Sequence, residues 1–358
     1  MLISIFGYRG TGKSCLYDLL SQRGRDDHSH GPDSWPNIAR AVCQLPDPRL
    51  DSLAALYPDK KKINRQLEIE DFPGLPSGEA VIGQYFSQLR KSDGLVQVVR
   101  GFRDPALAHP RGKIDPVGDI VAMTEELVFS DLVMVTSRLE KLEKDLKKMK
   151  DPEAQKEKEL LERLKPGLEH GGSLRELNLT ASEEKMLRGF CFLSLKPILQ
   201  MINLDEKDLA YLDTPEQLFP GLAEEQAVLA FCGKIEKELL ELEEEERQLF
   251  MSTYGLAEPT NLRFSKKILE VMDLINFYTI GKNEVRAWSI KKNTSAIKAA
   301  GEIHTDIEKG FIKAEVIPLS ELLKHGSWQK AREFGAMKLE GKDYQVQDGD
   351  VIFFRFAQ

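Results

Sequence analysis

The sequence has few cysteines and no long apolar run. Its four cysteines, Cys15, Cys43, Cys191 and Cys232, are scattered and include no CxxC pair. This argues against a zinc site or a disulfide framework and fits a reducing compartment. No stretch approaches the roughly 20 apolar residues that span a bilayer, and the N-terminus lacks the basic flank of a signal peptide. We therefore expect a cytoplasmic protein without a membrane partner.

The sequence also lacks an excess of positive charge. Its 50 Lys and Arg are outnumbered by 58 Asp and Glu, which gives a formal net charge of −8. This balance argues against a protein that binds polyanions over its whole surface, although a local basic face can still form. A hydrophobic content of 41% and a charged content of 30% are typical of a globular protein, and 358 residues predict two or three domains.

Apolar runs that alternate with helical patterns predict a parallel α/β sheet. Residues 2–6 form the first run, which stops at Gly7 and precedes a helix from about Lys13 to Ser21. A polar loop is predicted for residues 23–33. Further strands are predicted at residues 66–70, 94–99, 197–202 and 229–231, and one acidic helix is predicted from Lys234 to about Phe250.

The middle of the chain has a heptad pattern instead. Apolar residues recur at spacings that alternate between four and three, at Val128, Leu132, Val135, Leu139, Leu142, Leu146 and Met149. Asp151-Pro152 interrupts the pattern, and a second helix carries Leu160, Leu161, Leu164 and Leu168. Two such helices joined by a short turn predict an antiparallel coiled-coil hairpin, and the alternative is a long surface helix packed on its own domain.

After about residue 275, short strand-like runs predict a compact β-rich module.

The most specific motif is Gly7-x-x-x-x-Gly12-Lys13-Ser14, placed between a strand and a helix. Glycines at this spacing let successive backbone N–H groups point at phosphate oxygens. Lys13 is expected to reach the β- and γ-phosphates, and the Ser14 hydroxyl is expected to bind Mg²⁺. The loop predicts nucleotide binding by Arg9, Gly10, Thr11, Gly12, Lys13, Ser14 and Cys15.

A second motif, Asp71-Phe72-Pro73-Gly74, directly follows a predicted strand. An aspartate there can hold Mg²⁺ through a water molecule, and the Gly74 N–H can sense the γ-phosphate. The next residue is Leu75, where a Ras-like enzyme carries its catalytic glutamine. Hydrolysis must therefore use another group, or be slow.

A third motif, Asn203-Leu204-Asp205-Glu206, ends the predicted strand at residues 197–202. A GTPase of this fold places Asn-Lys-x-Asp here and reads guanine with the carboxylate. Leu204 and Glu206 replace the lysine and the aspartate, which weakens the case for guanine.

A separate candidate is His109, since a loop histidine can act as a general base or position a water molecule.

Several segments together resemble the YchF / Obg-like ATPase subfamily of translation-factor GTPases. The matching segments are 45–51 (LPDPRLD), 92–100 (SDGLVQVVR), 112–116 (GKIDP), 195–199 (LKPIL), 284–288 (EVRAW), 300–306 (AGEIHTD), 310–312 (GFI) and 339–350 (LEGKDYQVQDGD). The resemblance covers essentially the whole chain.

The resemblance implies an α/β P-loop G domain with an inserted coiled-coil hairpin and a C-terminal β-grasp, ubiquitin-like TGS domain. These domains would cover residues 1–120 with 189–274, 121–188 and 275–358. It also implies ATP in preference to GTP, Mg²⁺, slow hydrolysis and ribosome binding. On this resemblance Asn203, Leu204 and Glu206 fall on the altered base-recognition motif, Leu75 on the hydrophobic replacement for glutamine, and His109 on the proposed catalytic histidine.

The chain departs from the family pattern at its switch elements. Arg9, Gly10 and Thr11 replace the usual Pro-Asn-Val, which removes the asparagine expected to bind K⁺. Asp33 stands three residues before Pro36-Asn37, where the family carries a Mg²⁺-binding threonine, and a carboxylate there would repel the γ-phosphate. The glycine-rich stretch after Gly74 is shortened to residues 76–79. These differences indicate a divergent member.

The sequence thus predicts a slow, monomeric, ribosome-associated ATPase. The alternatives are a nucleotide-gated ribosome- or RNA-binding scaffold with little hydrolysis, or a GTP-specific GTPase. Contact with ribosomal RNA is suggested by a lysine cluster on the first hairpin helix, at Lys141, Lys144, Lys147, Lys148 and Lys150.

Overall fold

The structure, a computed structural model, describes residues 1–21, 38–76, 78–222 and 227–357. Contacts group the chain into two compact units, Met1–Val42 with Glu68–Ala257 and Cys43–Leu67 with Glu258–Gln358. The three-part domain division expected from the sequence stays a prediction. The predicted loop at residues 23–33, together with Asp33, Pro36 and Asn37, lies outside the described residues.

The described residues form two six-stranded sheets and their covering helices. The strands are β1 (Leu2–Phe6), β2 (Ala39–Leu45), β3 (Lys61–Ile63), β4 (Arg65–Asp71), β5 (Gly94–Arg100), β6 (Ile198–Asn203), β7 (Val228–Phe231), β8 (Leu274–Ile280), β9 (Glu284–Lys291), β10 (Phe311–Pro318), β11 (Lys338–Glu340) and β12 (Asp350–Phe356). The helices are α1 (Lys13–Ser21), α2 (Pro48–Ala55), α3 (Glu79–Leu89), α4 (Pro116–Leu146), α5 (Pro152–Glu169), α6 (Ala181–Leu187), α7 (Gly233–Leu240), α8 (Glu244–Thr253), α9 (Thr260–Val271), α10 (Ala296–Ile303), α11 (Thr305–Lys309), α12 (Leu319–His325) and α13 (Trp328–Glu333).

The first sheet has the strand order β2-β4-β1-β5-β6-β7. Strand β1 pairs in parallel with β4 and with β5, and the parallel pairing continues from β5 to β6 and from β6 to β7. Strands β5 and β6 are buried along their whole length, which explains their continuous apolar runs. The predicted parallel α/β sheet is confirmed.

Helices α4 and α5 form the hairpin that the heptad pattern predicts. Their contact surface buries Val135, Leu139 and Leu142 of α4 against Leu161 and Leu164 of α5, among other residues. Helix α5 begins at the N-cap Asp151, whose side chain accepts hydrogen bonds from the N–H groups of residues 153 and 154. Arg138 adds a two-pronged ion pair to Glu157, with N–O distances of 2.6 and 2.8 Å.

Two details of the helical prediction are wrong. Met149 lies beyond the end of α4 and is 70% exposed, so the apolar seam stops before it. The single acidic helix predicted from Lys234 is two helices, α7 and α8, separated by residues 241–243. The side chain of Arg247 donates to the carbonyl oxygens of Leu239 and Leu242, which satisfies acceptors at the end of α7 and favours the break.

The second unit is built on a mixed sheet with the order β11-β10-β12-β8-β9-β3. Strand β12 pairs parallel with β8 and antiparallel with β10, and the short β3 pairs in parallel with β9. One core cluster packs α2 and α12 on the sheet, and another packs α10 on it. None of the helices in the described part of the chain has the length and apolar content needed to cross a membrane.

Candidate functional site

The predicted site residues come together at one edge of the first sheet. The phosphate loop follows β1, Asp71 ends β4, and Asn203 ends β6. Because these strands are parallel, their carboxyl ends share one edge. The loop after β5, which contains His109, starts from this edge too. Ligands of open α/β sheets bind at such an edge, and here it collects the three sequence motifs.

Glycine is required in the phosphate loop because of backbone conformation and close approach. Gly10 and Gly12 have φ angles of 77° and 98°, in the left-handed region that favours glycine. A Cβ atom on Gly12 would lie 2.2 Å from Nδ2 of Asn203, and a Cβ atom on Gly10 would lie 2.9 Å from the side chain of Leu107. The loop is therefore packed tightly between the β6 terminus and the His109 loop.

Lys13 is folded back into this loop. Its side chain is buried, and Nζ donates a 2.7 Å hydrogen bond to the carbonyl oxygen of Tyr8. Burial lowers the pKa of Lys13 to about 8, while the Asp71 carboxylate acts in the opposite direction. A bound triphosphate would supply the negative charge that this buried ammonium group needs.

Ser14 and Asp71 contact each other directly. The Ser14 hydroxyl donates a 2.6 Å hydrogen bond to Oδ2 of Asp71. A hydroxyl and a carboxylate are the oxygen ligands that suit Mg²⁺, which keeps most of its other positions for water and phosphate. Among the described residues no group of three or more His, Cys, Asp or Glu is placed to hold a metal by protein ligands alone. The donor set therefore fits a nucleotide-bound Mg²⁺ ion.

The turn after Asp71 packs on the phosphate loop. A Cβ atom on Gly74 would lie 2.9 Å from the backbone of Arg9, and the Leu75 N–H donates to the Gly7 carbonyl oxygen at 3.2 Å. Leu75 is half-buried against the core cluster that contains Tyr85 and Phe86 of α3. The side chain at the usual glutamine position therefore packs inward and offers no polar group to a water molecule.

The Asn203 side chain, at the end of β6, forms hydrogen bonds with the phosphate loop and with the start of α7. Its Nδ2 donates to the carbonyl oxygen of Thr11 at 3.1 Å, and its Oδ1 accepts from the Gly233 N–H at 3.0 Å. Cys15, also predicted to bind nucleotide, donates from Sγ to the Gly233 carbonyl oxygen at 3.2 Å. Both predicted residues thus connect the loop to the start of α7, and Gly233 is a site residue that the sequence interpretation missed.

The other two residues of the base-recognition motif point to different surroundings. The Leu204 side chain is 2% exposed and packs in the core beside Ile202 and Cys232. The Glu206 carboxylate is partly exposed and forms an ion pair with Lys234 in the first turn of α7. The chain therefore has an apolar group where a guanine-reading protein has lysine, and its carboxylate already has a cationic partner.

The His109 ring lies between Tyr8 of the phosphate loop and Asp119 of α4. Its edge faces the Tyr8 ring with a centroid separation of 6.2 Å. Nε2 is 2.9 Å from Oδ2 of Asp119 in α4, and Arg111 contacts the other oxygen of that carboxylate at 3.2 Å. The sequence interpretation did not identify Asp119, because an acidic residue in the first turn of a helix is ordinarily a favourable helix-terminal charge.

Arg100, at the end of β5, holds the segment that leads to His109. Its guanidinium group is buried and donates to the backbone carbonyl oxygens of Phe102, Asp104 and Leu107, at 2.9 to 3.2 Å. A buried cation with three carbonyl partners fixes the path of the loop. The signal in the sequence was a charged residue directly after the predicted strand at residues 94–99.

Comparisons with known proteins agree with this arrangement. The YchF-GTPase_C family model, described as a protein of unknown function (DUF933), matches residues 274–357. The chain is 36% identical to the ribosome-binding ATPase YchF of Haemophilus ducreyi and 35% identical to that of Bacillus subtilis, over 98% of this chain and of each relative. It is 32% identical to Obg-like ATPase 1 of Oryza sativa, over 99% of this chain and 91% of that protein.

A solved structure supports the same fold. The Schizosaccharomyces pombe YchF GTPase superposes with a TM-score of 0.83 at 24% identity, over 99% of this chain and 97% of that one. The GTP-binding protein from Pyrococcus horikoshii superposes with a TM-score of 0.56 at 16% identity. The predicted fold class and the predicted resemblance are therefore confirmed, and the chain belongs to the YchF / Obg-like ATPase family.

Proposed function

We propose that this protein binds ATP in preference to GTP, hydrolyses it slowly, and acts as a ribosome-associated regulator in the cytoplasm. The observation that carries the proposal is the contact between Ser14 of the phosphate loop and Asp71 of the neighbouring strand. It joins the two groups that a Mg²⁺-bound triphosphate needs, at the sheet edge where this fold binds ligands.

Preference for ATP is supported by the surroundings of the base-recognition motif. A guanine-reading site offers a carboxylate to the N–H groups of the base, and such a site gains strong discrimination from that hydrogen bonding. Here the Glu206 carboxylate is paired with Lys234, and Leu204 is buried in the core. Asn203 is occupied by Thr11 and Gly233. An adenine base makes no demand for a carboxylate.

Mg²⁺ would be held by Ser14 directly and by Asp71 through a water molecule. The ion would neutralise charge on the β- and γ-phosphates. Lys13 would move from the Tyr8 carbonyl oxygen to the phosphates, and the backbone N–H groups of residues 10–15 would surround them, with Gly74 placed to sense the γ-phosphate. These roles come from the chain's own residues and give binding without requiring rapid hydrolysis.

Slow hydrolysis is supported by the apolar Leu75 and by the position of His109. With no polar side chain at residue 75, the candidate base is His109, whose ring lies beside Tyr8 of the phosphate loop. Its side chain is 4% exposed in this structure, so the ring must become accessible before it can contact a water molecule. That rearrangement would limit the turnover rate.

The ribosome is proposed as a partner from the names of the bacterial relatives and from the hairpin. Lys141, Lys144, Lys147, Lys148 and Lys150 are all exposed at the distal part of the hairpin, which is the arrangement that contact with ribosomal RNA needs. Glu140, Glu143 and Asp145 are interspersed with them, so the cluster is a local basic face rather than a continuous one.

The second candidate function is a nucleotide-gated scaffold with little hydrolysis. The burial of the His109 ring favours it, because a base that water cannot reach contributes nothing to turnover. Phosphate release, measured with and without purified ribosomes for the wild type and His109→Ala, separates the two. Ribosome-stimulated release that falls at least tenfold in His109→Ala supports the enzyme. Release at background level in every sample, with ATP still bound, supports the scaffold.

A further inference from the structure

The Asp119 carboxylate and the His109 ring form a buried pair. Asp119 is 1% exposed and the His109 side chain is 4% exposed. Nε2 and Oδ2 lie 2.9 Å apart, close enough for an ion pair, although the N–H group is not aligned for a hydrogen bond, and neither atom has a hydrogen-bond partner within the described ranges. The remaining carboxylate oxygen contacts Arg111 at 3.2 Å. Because both side chains are shielded from solvent, this contact differs from the exposed ion pairs on the surface.

The partners of the two ring nitrogens define the tautomer. Nδ1 accepts a hydrogen bond from the backbone N–H of Arg111, at 3.2 Å. An accepting nitrogen carries no proton, so in the neutral ring the proton lies on Nε2, the nitrogen that is 2.9 Å from Oδ2 of Asp119. Nδ1 is therefore the nitrogen whose lone pair can take up a proton, once it releases the hydrogen bond from the Arg111 N–H.

Asp119 is placed by a rigid element. It lies in the first turn of α4, where the helix is capped by the Asp115 side chain accepting from the Gly118 N–H at 3.0 Å. Gln97 of β5 approaches the Asp119 carbonyl oxygen, and Tyr8 of the phosphate loop faces the ring. Burial raises the pKa of the Asp119 carboxyl, and the charges on His109 and Arg111 oppose this effect.

We propose that Asp119 is the positioning residue for His109 in ATP hydrolysis. The carboxylate holds the Nε2–H tautomer, which leaves Nδ1 as the base, and it stabilises the imidazolium ion that forms when Nδ1 takes a proton. Water would attack the γ-phosphorus, its proton would pass to Nδ1, and the bond from the γ-phosphorus to the β,γ-bridging oxygen would break to give ADP and phosphate. This inference rests on the proposed catalytic role of His109.

The position of Asp119 also connects the base to the hairpin. The helix that carries the carboxylate runs without a break from Pro116 to Leu146 and supplies the buried residues of the hairpin contact. A shift of this helix along its axis would move Asp119 and therefore redirect the ring. A partner that engages the hairpin could in this way act on the base.

Asp119→Asn tests the proposal, since the amide keeps the shape and removes the carboxylate. Glu125→Gln is the matched control, because it removes a carboxylate from an exposed position of the same helix. The first readout is the ¹⁵N spectrum of the whole chain labelled at histidine, with the His109 signals assigned by their loss in His109→Ala. The second is the turnover number and KM for ATP with ribosomes present.

We expect the Nε2–H tautomer for His109 in the wild type and in Glu125→Gln, and its loss in Asp119→Asn. We also expect Asp119→Asn to lower the turnover number about 10- to 100-fold with KM within about twofold, and Asp119→Glu to recover part of the rate. A wild-type Nδ1–H tautomer, or unchanged turnover in Asp119→Asn where His109→Ala is slow, would overturn the proposal. Unchanged turnover in His109→Ala would instead remove the histidine from the proposed function, and the spectra would still decide whether Asp119 fixes the ring.

Discussion

The hydroxyl of Ser14 donates a 2.6 Å hydrogen bond to Oδ2 of Asp71, which lies 57 residues further along the chain. Ser14 opens α1 just after the phosphate loop, and Asp71 ends β4 beside β1. Parallel pairing of β1 with β4 is what brings the two side chains together. A hydroxyl can offer a lone pair to a Mg²⁺ ion while its proton stays donated to a carboxylate, so this contact is compatible with metal binding.

The Ser14 hydroxyl should therefore determine how strongly Mg²⁺ supports ATP binding. Ser14→Ala removes the hydroxyl and keeps the backbone N–H groups of the loop. We expect ATP affinity in Mg²⁺ to fall about tenfold or more, and affinity in EDTA to change little. Calorimetric titration in both buffers measures this. Ser21→Ala, at the opposite end of α1, should behave as the wild type, and an equal loss in EDTA would refute the metal role.

The residues at positions 204 and 206 should set the base preference. The double variant Leu204→Lys/Glu206→Asp rebuilds the guanine-reading pattern Asn-Lys-x-Asp, and the shorter carboxylate can no longer reach Lys234 as Glu206 does. We expect the ratio of GTP to ATP affinity to rise about tenfold. The lysine introduced at the buried position 204 can lower the fraction of folded protein. Measuring both affinities on one preparation removes this effect from the ratio. Glu216→Asp, an exposed position, is the control, and an unchanged ratio would count against this interpretation of the motif.

The stability of the hairpin should depend on Leu161 and should not depend on Met149. Leu161 is fully buried between the helices, whereas Met149 is 70% exposed beyond the end of α4. We expect Leu161→Ala to lower the free energy of local unfolding of α5 by about 2 to 5 kcal/mol. Met149→Ala should change it by less than about 0.5 kcal/mol. Hydrogen exchange of the α5 amides measures the effect of each variant. Equal effects would mean that the apolar contact between the two helices extends as far as Met149, contrary to the structure.

The second unit should lose stability in acid through Asp47. Burial raises the pKa of Asp47, but hydrogen bonds from Tyr278 and Asn276 and the charge on Arg49 outweigh it and hold the pKa below its ordinary value. A lowered folded-state pKa stabilises the fold above the ordinary carboxyl pKa, and this contribution is lost as the pH falls through the folded value.

Asp47→Asn should thus be less stable than the wild type at pH 7, by about 2 to 4 kcal/mol, and the difference should shrink below about pH 4. Urea unfolding followed by tryptophan fluorescence is suitable, because Trp288 and Trp328 lie in this unit. Asp51→Asn, at an exposed position in the helix that Asp47 caps, is the control. A difference that stays constant down to pH 3 would rule out the linkage.

The sequence was informative where function depends on short local patterns. The glycine spacing of residues 7–14, the Asp71 motif and the Asn203 motif each follow an apolar run, and parallel strands place such motifs at one edge. The heptad spacing likewise predicted the buried faces of α4 and α5. In these cases the local pattern itself determines which residues meet in the fold. The sequence alone was therefore enough to predict the contact.

The remaining features depend on contacts that leave no local pattern. Strand β3 joins β9 across more than 200 residues of sequence, and three residues with two exposed lysines carry no periodicity to predict it. The break between α7 and α8 depends on where the Arg247 side chain finds its acceptors. Asp119 is distinguished only by facing His109, which required the three-dimensional path of the loop after β5.

The most direct test of the proposed function is calorimetric titration of the wild-type chain with ATP and with GTP, both in Mg²⁺ and at one salt concentration. The arrangement of Asn203, Leu204 and Glu206 predicts tighter binding of ATP. A preference for GTP of about tenfold, or 1.4 kcal/mol, would contradict it.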